Sequence, residues 1–462
     1  MSGTFASFNT ALSGLRYQQT VMEMASTNVA NATTEGYVRR RVVGETTGAS
    51  ATPAMWSRSD EIGSGVRATG VNRMVDPLLD GRVRAEHGKQ AWLDYQTGVL
   101  ARVETGIAEP SDTGVAAAFS GFRSALHDLA NAPDSEAARG QVLGAAETVS
   151  DAIRLQAHQL DEESAAQRTT LLTTVDEVNQ VGSDLAATNH SIAVARLSGA
   201  DDSTLLDTRD RLALRLSELT GATATVRSDG GMDVAVNGVP LVQGQSAGQL
   251  RIATGVTAAG GADGNPVTFA VDPSGTTVAG PIGGRAGAVA DLLDTVLPAY
   301  AAGLATIAQD FADQLNNQHA TGYDTAGAPG TALFDYDPAD PAGTLRVAIT
   351  DPAKVAASAL AGGVRDATNA STMADAITVE GDYQRLVSGF GTSVASLRRL
   401  TANQQALTSQ VDASREQLAG VSLDEETVNM VAAQRAYEAA ARVMTTLDSV
   451  LDTLVNRTGL VR

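Results

Sequence analysis

The chain contains no cysteine, and only 8 Phe, 8 Tyr and 2 Trp in 462 residues. Without thiols there are no disulfides, no thiolate metal sites and no thiol nucleophile. Aromatics at 4% against a hydrophobic content of 43% leave an Ala/Val/Leu palette, that of helical bundles rather than of a β-sandwich. Positive charge is also scarce. Thirty-three Lys and Arg face 53 Asp and Glu, giving a net charge of −20. That balance argues against nucleic acid and against an anionic membrane surface, both of which need a basic face. No run approaches the roughly 18 apolar residues that cross a bilayer, so no membrane insertion is expected. The first basic residue is Arg16, and Ser, Asn, Thr and Gly interrupt the opening segment, so no Sec-type signal is expected either. The chain then stays in the cytoplasm or leaves by a route that reads no cleaved signal.

Catalytic patterns are missing too. His87, His127, His158, His190 and His319 are far apart in the chain and form no H-x-x-H or H-E-x-x-H pair. Gly63-Ser-Gly65-Val-Arg-Ala68 matches G-x-G-x-x-A in form, but Thr69-Gly70-Val71 follows it, so it reads as a turn between short strands rather than a dinucleotide site. The runs Asp161-Glu162-Glu163 and Asp424-Glu425-Glu426 read as helix-start or solvated helix-face carboxylates. Arg39-Arg40-Arg41 reads as a donor of salt bridges between subunits or domains. No catalytic residue, cofactor or metal is expected, and the chain is read as not an enzyme.

What is present is order by punctuation. Nine of the 13 prolines lie between Pro240 and Pro352, and residues 134–239 and 353–462 have none, so long helices have room there. Helices are expected over 74–105, 115–131, 136–198, 203–219 and 286–319, with Ser203 as an N-cap, Gly221 as a stop and a kink near Pro298. Residues 221–287 hold 15 glycines and read as strands and turns. Met232, Val234 and Val236 alternate into Asn237-Gly238, and Val239-Pro-Leu-Val242 returns: a hairpin. Val267–Val271, the turn 272–275, 276–279 and 345–349 add strand candidates.

Both ends carry an apolar helical seam. Phe5, Phe8, Leu12, Leu15, Gln19, Met22, Ser26 and Val29 fall at alternating steps of three and four, as do Ala433, Ala436, Ala440, Val443, Leu447, Val450 and Leu454. A 3.5-residue repeat packs helix on helix in coiled-coil fashion. The C-terminal helix opens on the capping box Ser422-Leu-Asp-Glu425 and is expected to close at Gly459, with Leu460 folding back on Val455. Termini that meet each other and then neighbouring subunits point to assembly rather than catalysis. Such an arm alone is marginal and is expected to fold on polymerisation.

The segment Ala25-Ser-Thr-Asn28-Val-Ala-Asn31-Ala-Thr-Thr34-Glu-Gly36-Tyr37-Val-Arg39 resembles the N-terminal signature of the bacterial flagellar rod, hook and hook-associated proteins. Asn suits the capping and left-handed geometries of a helix exit, and Gly36 permits the turn. Segments 205–219, 241–244, 311–324 and 420–426 are similar to the hook-associated members at the hook–filament junction. The resemblance implies a structural component without enzyme activity, exported unfolded through the flagellar type III apparatus to the extracellular flagellum. It implies self-association in a helical ring and, as partners, the hook protein below, hook-associated protein 3 above and a cytoplasmic chaperone on the C-terminal helix. The assembly interface would comprise Phe5, Phe8, Leu12, Leu15, Met22, Asn28, Val29, Asn31, Gly36, Tyr37, Val443, Leu447, Val450 and Leu454. The alternatives are another axial protein (hook-associated protein 3 or the hook protein) or a secreted binding or enzymatic module on flagellar-type ends. A metalloprotease insert would need H-E-x-x-H, and residues 221–352 hold only His319.

The expected fold is mainly α with a β-rich insert: an α+β multidomain chain, a long helical bundle with coiled-coil terminal helices. Length alone suggests two to four domains. Three are expected: 1–45 plus 422–462 as a terminal coiled coil; 46–220 plus 286–320 plus 353–421 as a helical body; 221–285 plus 321–352 as a β-rich outer insert.

Overall fold

The computed structural model describes residues 2–47 and 65–456, with side chains over 7–47 and 65–453. The expectations for the Phe5 and Leu454 side chains, for Gly63 and for the Gly459–Leu460 closure therefore lie outside the described residues.

The chain begins with α1 (Ser2–Ala30) and a hairpin, β1 (Arg40–Thr46) with β2 (Val66–Arg73), then α2 (Pro77–Ile107). Asp76 caps α2 by accepting from the amides of Leu78 and Leu79, and Pro77 sits where its missing N–H costs nothing. Next come α3 (Val115–Asn131), α4 (Glu136–Ser198) and α5 (Ser203–Thr220). At 63 residues α4 is the spine, roughly 95 Å long at 1.5 Å per residue. Ser135 caps its start, and Gly199 ends it in the left-handed conformation that glycine tolerates best. The bounds of α3, α4 and α5 lie within a residue of those expected. Ser203, however, is the first residue of α5 rather than its cap; its amide and hydroxyl both donate to Asp201.

Four strands, β3 (Thr223–Val226), β4 (Met232–Val236), β5 (Val239–Gln243) and β6 (Ser246–Ala247), form one antiparallel meander. The turn between β4 and β5 has φ of 45° at Asn237 and 82° at Gly238, the double positive φ that made Asn-Gly a hairpin signal. A second sheet holds β7 (Gln249–Thr254), β8 (Thr268–Asp272) and β9 (Thr276–Thr277). Then α6 (Gly284–Asp291) passes through one π-helical segment at Leu292–Val296 into α7 (Leu297–Ala320). The expected irregularity is thus a π segment just ahead of Pro298, where the ring leaves a backbone carbonyl unpaired. The pair β10 (Phe334–Asp335) and β11 (Arg346–Val347) brackets the short α8 (Pro341–Thr344). The proline-free C-terminal tract becomes α9 (Thr368–Ala376), α10 (Val379–Ala419) and α11 (Leu423–Asn456).

Two large cores lie along α4. Its first half packs with α3, α7, α9 and the 333–357 segment around Phe119, Phe122, Phe311 and Phe334, whose rings meet edge-to-face or tilted. Its second half packs with α5, α6 and the sheets of β3 to β9. The two β-rich stretches expected as one insert therefore belong to different cores: 221–285 to the second, 321–352 to the first. Each covers a different half of α4. Strand β2 pairs with β1 and packs on α1. Among the described residues one run, Gly284–Ala320, is long and apolar enough by composition to cross a bilayer, which the residue-by-residue reading missed. Here Leu304, Phe311 and Leu315 of that run are buried in the first core.

Candidate functional site

The termini do meet. Helix α1 lies against α11, and α2 lies antiparallel to α10, with Asp80 bonded to Arg415, Thr97 to Thr401 and Glu104 to Arg398. The first pair forms an arm and the second joins it to the body. The seam differs from expectation by one residue on α1. The side chains lining the cleft against α11 include Gln18, Val21, Ala25 and Asn28, each one position ahead of Gln19, Met22, Ser26 and Val29, and Ala11, one ahead of Leu12, is buried. One residue rotates the face by roughly 100°. The reason is size and polarity: small Ala25 shares the cleft between the helices with Ala433 and Ala436, while counting large hydrophobes picked the neighbouring stripe. Phe8, Leu12, Leu15 and Met22 are left half-buried and Val29 exposed.

On α11, Ala433, Ala436, Ala440 and Leu447 are covered as expected, but the line continues through Met444 and Leu451. Val443 and Val450 are 50% and 43% exposed, one heptad apart on the side away from α1. The pair thus covers one stripe and leaves another apolar stripe on each helix open.

The Asn-rich signature builds a polar clasp at the base of the arm. Asn28 is 1% exposed. Its Nδ2 donates to the Arg40 carbonyl at 2.9 Å and to Glu426 Oε2 at 3.0 Å. Its Oδ1 accepts from the Tyr37 hydroxyl at 2.8 Å and the Arg40 amide at 3.1 Å. A buried amide with every polar atom satisfied fixes one geometry and tolerates no other. Asn31 caps the helix exit: its Nδ2 donates to the Thr27 carbonyl, and its Oδ1 accepts from the Thr34 hydroxyl. Gly36 then turns the chain at φ 77°. Burial raises the pKa of Tyr37, and the Arg40 guanidinium stacks 4.9 Å from its ring centroid.

The arginine run reaches across the whole chain. Arg39 pairs with Glu425 and Glu426, both at 2.7 Å, and Arg40 with Asp207 at 2.9 Å. Arg73 from β2 joins Asp207 and Asp210 of α5, whose carboxylates outweigh the effect of burial and raise its pKa. So the expected salt-bridge role of Arg39 and Arg40 is realised between arm and body. Half of the capping box forms: the Glu425 amide donates to Ser422 Oγ at 3.4 Å, while the Glu425 carboxylate goes to Arg39. Arg73, Asp207 and Asp210 were not singled out as site residues. An R-D pair separated by 134 residues leaves no periodic mark in a sequence.

No group of three or more His, Asp or Glu able to hold a metal occurs among the described residues. His319 is buried and serves the core, its Nδ1 donating to the Thr331 carbonyl and its Nε2 accepting from the Ala356 amide. His87 faces Asp412 and Glu218.

Comparison with known proteins agrees with an arm-and-body architecture. The profile described as "Flagellar hook-associated protein FlgK helical domain" matches residues 100–334. "Flagella basal body rod protein" matches 8–37, and "Flagellar basal body rod FlgEFG protein C-terminal" matches 417–457, which are the two helices of the arm. Flagellar hook-associated protein 1 of Bacillus subtilis is 28% identical over 506 residues, covering 100% of this chain and 99% of that one. Its Escherichia coli counterpart is 24% identical, covering 97% and 99%. The solved structure of the flagellar hook junction protein FlgK from Burkholderia pseudomallei superposes with a TM-score of 0.63 at 17% identity, over 74% of this chain and 100% of that one, which shows the shared fold. With its helical body matched over half its length and both arm helices matched at the ends, the chain belongs to the FlgK family of flagellar hook-associated proteins.

Proposed function

We infer that this chain is a structural component of the bacterial flagellum, the hook–filament junction protein that polymerises on the hook tip and adapts it to the filament. The observation that carries this reading is the arm. Its two helices come from opposite ends of the chain and bury mainly alanines against each other. They leave Val29, Val443 and Val450 outward, 37–50% exposed. An apolar stripe left open on a paired helix is a surface for more helices, which a ring of identical subunits and the neighbouring axial proteins would supply. The finer partners are the hook protein below, hook-associated protein 3 above, and an export chaperone that holds α11 before assembly. Export without a cleaved signal and an extracellular location belong to the same reading, as does the lack of enzyme activity. The arm gains most of its order on polymerisation, because the small residues of its seam release little free energy against the entropy of ordering two long helices.

A deletion strain tests the function: it is expected to shed flagellin monomers into the medium, with the wild-type gene restoring filaments. Filaments of normal length and attachment in the deletion strain would overturn the reading. A Val443→Asp variant is expected to fold as a monomer yet fail to restore filaments. Limited proteolysis of the free monomer is expected to cut first within α1 and beyond residue 430; resistance there would refute folding on assembly.

A further inference from the structure

A cleft of about 340 Å³ lies where β2, the start of α2, the end of α4, the start of α5 and the β3–β4 turn converge. Five arginines, Arg73, Arg84, Arg196, Arg209 and Arg227, line it against three aspartates, Asp80, Asp202 and Asp210, in a protein of net charge −20. Four of the five are engaged. Arg73 is held by Asp207 and Asp210, and Arg209 by Asp210 and the Gly230 carbonyl. Arg196 is held by Asp202, and Arg227 by Asp229 and Asp233.

Arg84 is the exception. It is 8% exposed, and no hydrogen bond or ion pair among the described residues reaches its guanidinium. Asp210 and Asp80 act on it only at a distance, and burial lowers its pKa. Its stem is buried while its unpaired guanidinium nitrogens open onto the cleft, donors that no carboxylate holds and that an anion there would complete. Arg84 also lines the neighbouring cleft of about 180 Å³, where Glu35, Asp80, Asp207, Asp210 and Asp412 outnumber Arg211 and Arg415 beside it, so an anion is directed to the first cleft. Guanidinium forks match the paired oxygens of phosphate and sulfate.

We propose that this arginine-lined cleft binds a dianionic oxyanion of phosphate or sulfate size, with Arg84 as its principal ligand. Because the walls come from the arm's hairpin and from the body, a bound anion braces the joint between them. The proposal does not depend on the junction role, and neither result below bears on that role.

The test uses the full chain and inorganic phosphate above neutral pH, at ionic strength held constant with sodium chloride, read by calorimetric titration and by thermal unfolding. Saturable one-site binding is expected, with sulfate competing. Arg84→Met keeps the packed stem and removes the lone charge, so it is expected to fold and to bind at least roughly tenfold more weakly, as for loss of one charge-assisted hydrogen bond. Asp202→Asn frees Arg196 and is expected to tighten binding, which gives a second readout should Arg84→Met fail to fold. Non-saturable binding by the wild type, or equal affinity in the wild type and Arg84→Met, or an Asp202→Asn variant no tighter than wild type, overturns the proposal.

Discussion

Arm and body are built from the same residue palette but hold together by different means. In the body, Phe119, Phe122, Leu126 and Leu129 of one short helix are all 0% exposed, and two cores grip opposite halves of α4. In the arm, the buried side chains of the two helices, among the described residues, are Ala11, Ala25, Asn28, Glu426 and Ala433. Thus the body is complete within one chain. The arm is aligned by a polar clasp and left unfinished on its outer side. A protein that must be a stable unit before assembly and a seamless one afterwards separates those two demands along its length.

The comparison breaks if core truncations weigh equally in both regions. Phe122→Ala is expected to destabilise the body by about 3–5 kcal/mol, as for aromatic truncation in a closed core. Leu15→Ala, half-buried in the arm, is expected to cost under about 1 kcal/mol in the monomer. Urea unfolding monitored by circular dichroism measures both. Comparable losses would mean that the arm is a closed core after all.

The clasp sharpens the same contrast at intermediate cost. Asn28→Ala removes the partner of the Arg40 amide and carbonyl, the Tyr37 hydroxyl and Glu426 Oε2, an expected loss of about 1–3 kcal/mol for unsatisfied buried groups. The loss is expected to be local: hydrogen exchange speeds up around the clasp, in the last turns of α1 and the first turns of α11, while α3 and the first half of α4 keep their protection. Uniform acceleration throughout the chain would show that arm and body unfold as one unit.

How much of this was legible beforehand follows from where the signals live. Helix extents were, because caps, glycine stops and prolines are local; α3, α4 and α5 needed nothing from the rest of the chain. The Asn237-Gly238 hairpin was legible for the same reason. The seam of α1 was found but rotated by one residue, since apolar size marks a stripe strongly whereas the buried stripe is Ala and Asn. Met444 and Leu451 replaced Val443 and Val450 because two apolar stripes run side by side on α11, and a period of 3.5 does not choose between them. Composition shows that 221–285 and 321–352 are both β-rich, not which half of a 63-residue helix each one covers. At the clasp, the signature residues and Arg39 were visible, while Glu426 and Asp207 were tied to them by distances of 387 and 167 residues that no pattern spans.

The smallest expected effect is a pair of opposed pH dependences, one at the joint and one in the body. Burial lowers the pKa of His319, whose neutral ring donates through Nδ1 to the Thr331 carbonyl at 2.6 Å and accepts through Nε2 from the Ala356 amide at 2.8 Å. The unfolded chain then binds the proton more readily than the folded one. The stability His319 contributes is therefore complete above its ordinary value of about 6.5 and is lost as pH falls through the lowered folded value. For His87 the sign reverses. A hydrogen bond to Glu218, with Asp412 also beside it, raises its pKa against the opposing effect of burial. Its contribution is complete below about 6.5 and is lost as pH rises through the raised folded value. Denaturant midpoints of wild type against His319→Gln and His87→Gln across this range test both. The wild-type advantage over His319→Gln is expected to shrink on acidification, and the advantage over His87→Gln is expected to shrink on alkalinisation. Parallel slopes would mean that the joint and the body core do not present opposite environments to the same side chain, and the electrostatic half of the contrast between them would fall.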